Sequence, residues 1–171
     1  MPQHVALQTS HGDIILALDD AKAPITVQNF LEYVDAGHYD GTIFHRVIDG
    51  FMIQGGGFTP EMQQKTTRAN IKNEWKNGLK NKRGAIAMAR LGGNPDSASS
   101  QFFINLKDNG FLDQAQSDGA AYAAFGEVVK GMDVVDKIKV VKTKNQGGHG
   151  DVPVTPVLVT KARRATAEET K

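Results

Sequence analysis

Hydrophobic and polar positions alternate in short runs along most of the chain, and only twice do they recur at helical spacing. Val5 to Thr9 and Asp13 to Leu18 are apolar-rich runs separated by Ser10, His11 and Gly12, which predicts a β-hairpin with glycine in the turn. Ala23-Pro24 then leads into ITVQNFLEYVDAG. Proline suits a first helical turn, Val27, Phe30, Leu31 and Val34 share one helical face, and Gly37 stops the element, so a helix is expected from Pro24 to Ala36. A shorter helix is predicted over Met132 to Lys139, where Met132, Val135 and Ile138 fall three residues apart. The runs GTIFHRVI, GFMIQ, GAIAMAR, SQFFINL, YAAFGEVV and VPVTPVLVTKA each read as a strand, bounded by Gly, Asn, Asp or Pro. Many short strands with two helices make the chain mainly β, and favour a barrel or sandwich over an alternating α/β fold. Thr59 to Leu79 and Gly92 to Ser100 are expected to be long loops, which often border a site. One domain over residues 1–163 is expected, with a charged tail, 164–171, that frays.

Composition narrows the function classes. At 171 residues, 40% hydrophobic and 23% charged, the chain can bury one substantial core. It has no cysteine, so disulfides, thiolate catalysis and iron–sulfur ligation are excluded, and a reducing compartment fits. No basic leader precedes an apolar run, and no stretch is long enough to span a membrane, so a cytoplasmic protein is expected. Of the net charge of +1, the last eleven residues carry +2, which leaves −1 for the rest and no basic face for nucleic acid. There is no G-x-S-x-G, no phosphate-binding G-x-x-x-x-G-K-[ST] and no H-E-x-x-H. The histidines at 4, 11, 38, 45 and 149 show no ligand spacing, so a metal site would need a meeting in space. Glycines 55 to 57 match no nucleotide fingerprint, and read as a strand end that bends or lets another backbone approach.

Strand parity points to a groove. In GFMIQ, Met52 and Gln54 share a face and Ile53 takes the other; in SQFFIN, Gln101 and Phe103 share a face while Phe102 and Ile104 take the opposite one. Each strand thus has a wholly apolar face for the core and a mixed face, and the mixed faces are the candidate groove. Phe51 breaks the parity and needs a local twist to join them.

The segments FHRVIDGFMIQGGGF, GAIAMAR, SQFFINL, FLD and FGEVV, in that order, resemble the cyclophilin-type peptidyl-prolyl cis-trans isomerases over about Val5 to Thr160. The resemblance implies a closed eight-stranded antiparallel β-barrel capped by two α-helices, with a substrate groove on its outer face. It makes Arg46 the catalytic cation and Phe51, Met52, Phe103 and Leu112 the wall of a pocket for proline. Gln54 and Gln101 would hold the peptide backbone, and Gln54 would also orient Arg46. Ala89 and Arg90 fall where the family lays an extended peptide. Arg90 stands where well-known members more often have asparagine, which leaves a backbone contact as its role. Phe111 replaces a tryptophan and Tyr122 a histidine of many eukaryotic members, both in keeping with the bacterial cytosolic branch. Phenylalanine lacks the indole N–H, so cyclosporin is expected to bind weakly.

The resemblance implies proline-containing peptides and unfolded proteins as substrates, a monomer, and neither cofactor nor metal. The chemistry suits this inventory, because isomerisation breaks no bond and needs only loss of amide resonance. A non-catalytic module that binds proline-containing segments is the rival reading, and Arg46 separates the two: a binder has no use for a cation aimed at a twisting nitrogen. An unrelated small-ligand barrel is a third.

Overall fold

The computed structural model describes residues 2–171. Its elements are β1 (Gln3–Thr9), β2 (Gly12–Leu18), α1 (Pro24–Asp35), β3 (Thr42–Ile43), β4 (Arg46–Ile48), β5 (Met52–Gly55), β6 (Ala85–Met88), β7 (Phe102–Asn105), β8 (Ala124–Lys130), α2 (Met132–Lys139), β9 (Thr143–Gln146), β10 (His149–Pro153) and β11 (Leu158–Ala165). Single 3-10 turns lie at Gly110–Asp113 and Ala167–Thr170.

Nine strand segments form one antiparallel sheet in the order β3-β11-β1-β2-β8-β6-β7-β5-β4. Its two ends, β3 and β4, are consecutive in the chain and separated only by Phe44 and His45. They act as one bent strand. The Ile43 N–H donates to the Phe58 carbonyl at 3.0 Å, beyond the end of β5, while β3 pairs with β11 on its other side. The sheet thereby curls on itself into an eight-stranded barrel, as expected, with the run GTIFHRVI interrupted rather than continuous.

The interior is filled by the apolar alternate positions of each strand, among them Leu7, Leu16, Ile53, Ile86, Phe102 and Ile104. Both helices pack on this cluster, α1 through Val27, Phe30 and Val34 and α2 through Val134, Val135 and Ile138. The Phe30 ring lies 5.1 Å from Tyr39, 5.5 Å from Phe102 and 5.3 Å from Phe125, tying α1 to the barrel. Burial of one such side chain contributes roughly 2–3 kcal/mol. α1 begins at Pro24, but Ala23 before it has no side chain to cap the free N–H groups. The Glu74 carboxylate supplies that cap, accepting from the Thr26 N–H at 2.7 Å, the Thr26 hydroxyl at 2.7 Å and the Ile25 N–H at 3.3 Å. The long segment after β5 is therefore a strap fastened to the helix, not a free loop.

One expectation needs correction. The run VPVTPVLVTKA is not one strand: β10 ends at Pro153 and β11 starts at Leu158, because the chain must turn from a small sheet back to the barrel. β9 and β10 form that second, two-stranded sheet around Gly147-Gly148, a hairpin that no apolar alternation announced. β11 continues to Ala165, and Arg163 pairs with Glu169 at 2.7 Å across a capping box at Thr166. The Arg163 hydrogen bonds hold the Glu169 carboxyl down to about 2.

His45 sits in the barrel's seam, 4% exposed, with Nδ1 lacking a hydrogen-bond partner among the described residues. Burial, then the neighbouring His149 and Arg46, push the imidazole down to about 4. Between about pH 6.5 and pH 4 the unfolded chain takes up a proton that the folded one refuses. The stability from burying this ring neutral is complete above that window and is lost as pH falls through it, up to about 3 kcal/mol. Denaturant melts from pH 7 to pH 4 should show this slope, and His45→Gln should flatten it; an unchanged slope in the variant contradicts the assignment.

Candidate active site

Register alone assembles the site. Arg46 pairs with Gln54, Gln54 with Phe103, Phe103 with Ala87 and Ala87 with Ala124, one row across β4, β5, β7, β6 and β8. Residues directly opposite in a ladder share a face, so all five point outward together. The adjacent row, Val47, Ile53, Ile104 and Ile86, points inward to the core. The alanines leave the middle of the outer row concave. Around that concavity Met52, Phe103 and Leu112 form a second buried apolar cluster, flanked by Phe51, Leu79, Ala89 and Tyr122. The mixed faces inferred from strand parity are this groove.

At one end of the row Arg46 is exposed, its Nη1 donating to Gln54 Oε1 at 3.4 Å. Gln54 Nε2 donates in turn to Gln101 Oε1 at 3.0 Å. Gln101 lies against Gly57, where an added Cβ would fall 2.6 Å from its side chain. Gly55 admits the Ile43 carbonyl, which would be 2.9 Å from a Cβ there. The glycine run thus does what the sequence reading expected, and Gly57 does it for a residue of the site.

Phe51 reaches the groove from the β4–β5 turn, where its N–H donates to the Ile48 carbonyl at 3.0 Å. Being outside the strand, it escapes strand parity. Its ring stacks on Phe111 at 5.8 Å, and Phe111 is 55% exposed at the groove's rim. Tyr122 meets the Phe103 ring edge-on at 5.9 Å, and its N–H donates to the Leu112 carbonyl at 3.0 Å. Beyond Gln101 the groove continues as a cavity of about 590 Å³ bordered by Arg46, Gln54, Ala89, Leu91 and His149. The Ala89 N–H donates to the Gln101 carbonyl at 3.0 Å, extending the β6 edge alongside that cavity. Arg90 departs from the rest. It also borders the cavity, but its side chain is 2% exposed and held in an ion pair with Asp118.

Beneath the pocket runs a polar ladder that the sequence reading missed. Asn105 Nδ2 donates to Asn81 Oδ1 at 3.0 Å, and Asn109 Nδ2 to Asn105 Oδ1 at 2.8 Å. Asn109 Nδ2 also reaches the Phe51 carbonyl at 2.9 Å, and Asn81 Nδ2 reaches Asp113 Oδ1 at 2.9 Å and the Tyr122 carbonyl at 3.1 Å. The ladder bonds the carbonyls of Phe51 and Tyr122 and the carboxylate of Asp113 beside Leu112, so the parts of the pocket that come from turns and loops are held by buried amides. Its one sequence signal is Asn105, an asparagine closing an otherwise apolar strand, where that residue type is uncommon.

The arrangement offers a cationic donor, two amides and an apolar cup side by side. A family model described as cyclophilin type peptidyl-prolyl cis-trans isomerase matches residues 4–164. The chain belongs to the cyclophilin-type peptidyl-prolyl cis-trans isomerases.

It therefore catalyses cis–trans isomerisation of Xaa-Pro bonds, and its family binds proline-containing peptides. The isomerase is 60% identical to a peptidyl-prolyl cis-trans isomerase of Streptomyces antibioticus, a match covering 93% of this chain and 96% of the relative. It is 57% identical to isomerase B of Escherichia coli, over 91% of this chain and 95% of that one. A cyclophilin-type isomerase of Cryptosporidium parvum superposes with a TM-score of 0.83 at 26% identity, covering 97% and 99% of the two chains. A second crystal structure of that protein, at a TM-score of 0.82, was obtained in the presence of the dipeptide Ala-Pro.

The space at Gly57 is testable. Gly57→Ala should displace Gln101 and lower kcat/KM about tenfold while the thermal melt moves by only a few degrees. An active variant with an intact melt would show that Gln101 need not stand where it does.

Proposed function

We propose that Arg46 is the transition-state donor of this isomerase and that the cup of Met52, Phe103 and Leu112, closed by Phe51, holds the proline ring. The observation that carries the reading is the single outward row in which Arg46 and Phe103 flank Gln54. When the bond twists, the imide nitrogen becomes pyramidal and regains a lone pair, which a donor bonds only in that state. Arginine suits the task because its guanidinium is permanently charged and offers several N–H groups. Gln54 aims it. Gln101, with the backbone of Ala89 and Arg90, holds the peptide alongside, and Phe111 and Tyr122 close the rim.

The magnitudes require more than one bond. The uncatalysed barrier is about 18–20 kcal/mol, and an acceleration of about 10⁵-fold needs roughly 7 kcal/mol. A hydrogen bond from a charged group contributes about 1.5–3 kcal/mol. The remainder comes from removing water around the amide and from fixing the twisted geometry in the apolar cup.

Substrates in this reading are proline-containing segments of unfolded or flexible proteins in the cytoplasm, handled by a monomer without a cofactor. Cyclosporin binds weakly, since Phe111 presents an apolar ring and no N–H at the rim. Two-dimensional NMR exchange on a short Xaa-Pro peptide decides the central role. Wild type should give fast exchange, and Arg46→Ala should lose about a hundredfold or more while still binding the peptide. A variant within a few-fold of wild type removes Arg46 from the mechanism.

A further inference from the structure

Arg90 and Tyr122 lie far apart in the chain, and the structure brings their side chains together. The Arg90 guanidinium carbon lies 4.6 Å from the centre of the Tyr122 ring. A cation over an aromatic face is attracted by the ring's electron density.

The guanidinium is held from every side. It forms a forked pair with Asp118, at 2.6 and 3.2 Å, the two side chains being 2% and 7% exposed. Its remaining N–H groups donate to the carbonyls of Ala120 at 2.9 Å, Leu91 at 3.1 Å and Ala121 at 3.4 Å. Asp118 accepts further from the Gly93 N–H at 3.0 Å and the Ala120 N–H at 3.2 Å. The Arg90 hydrogen bonds keep its carboxyl below the usual carboxylate range. One ion pair therefore fastens the 113–121 loop to the strand end at Ala89 to Gly93, and Tyr122, fixed beneath Arg90, bears on Phe103.

We infer that Arg90 and Asp118 are positioning residues that set substrate selectivity, locking Tyr122 against Phe103 and holding the Ala89–Leu91 backbone at the distance from the proline cup that the residue before proline must bridge. This rests on the cup being the proline site, as read above. The pair acts through Tyr122 and the backbone, and its own side chains do not touch substrate. Removing the lock leaves the cup in place but frees one of its walls, and frees the segment against which the residue before proline lies.

The test uses wild type, Arg90→Asn and Asp118→Asn, all checked by thermal melt, on peptides Xaa-Pro with Xaa from alanine to phenylalanine. Both variants should lose about three- to tenfold in kcat/KM, by unequal factors along the series and with the same pattern in each. Partial unfolding lowers every peptide's rate equally, so the ratio between peptides is the readout that a merely structural role does not move. The Tyr122 ring resonances should shift or broaden in both variants. Should Asp118→Asn fail to fold, Arg90→Lys keeps the charge without the fork and should show the same changed ratio. Equal losses along the series, or activity within about twofold of wild type with unmoved Tyr122 signals, overturn the inference. If wild type itself fails to speed exchange, the reading of the cup falls, while the Tyr122 signals still report whether the lock exists.

Discussion

Residues that pair across an antiparallel ladder share a face, and in this barrel that constraint builds core and active site in the same stroke. One row, from Val47 through Ile53 and Ile104 to Ile86, is interior; the next, from Arg46 through Gln54 and Phe103 to Ala87, is the groove. A slip of one residue would exchange them, placing a guanidinium in the core and isoleucines in water. The burial energy of the inner row therefore also fixes the outer row of the candidate site. No separate device is needed to bring Arg46 beside Phe103.

What the register does not set, buried polar groups do. Phe51, Leu112 and Tyr122 come from turns and loops, where strand geometry gives no orientation. The ladder of Asn81, Asn105, Asn109 and Asp113 holds the Phe51 and Tyr122 carbonyls and the residue beside Leu112 by largely buried amide hydrogen bonds. Unmade, such bonds would each cost on the order of 1–3 kcal/mol, so the walls have one low-energy arrangement. Gly57 plays a similar part by omission, since Gln101 occupies the space its side chain would take.

The sequence was most legible where a local rule coincides with the tertiary outcome. The first hairpin, both helices and the opposed faces of GFMIQ and SQFFIN follow from periods of 2 and 3.6, and the structure has them. Periodicity was silent where polar contacts decide. The β9–β10 hairpin is built from Thr143–Gln146 and His149–Pro153, polar and exposed except at Val152 and Pro153, too little apolar alternation to reveal it. In the tail Arg163 pairs with Glu169 and Arg164 with Asp35, partners that composition alone reads only as charge. Arg90 looked like a groove residue because its backbone is one; the destination of its side chain depends on Asp118, twenty-eight residues away. The asparagine ladder joins residues from three segments, and no one segment marks them as partners.

Whether Arg46 and Gln54 work as a unit aimed at the imide nitrogen, as proposed, is decided by a double-mutant cycle. Measured as kcat/KM on one Xaa-Pro peptide, Arg46→Ala combined with Gln54→Ala should be no worse than Arg46→Ala alone, within about twofold, because Gln54 acts by orienting the guanidinium. Losses that multiply would mean that Gln54 acts on the substrate by itself, and the outer row would then be a set of separate contacts.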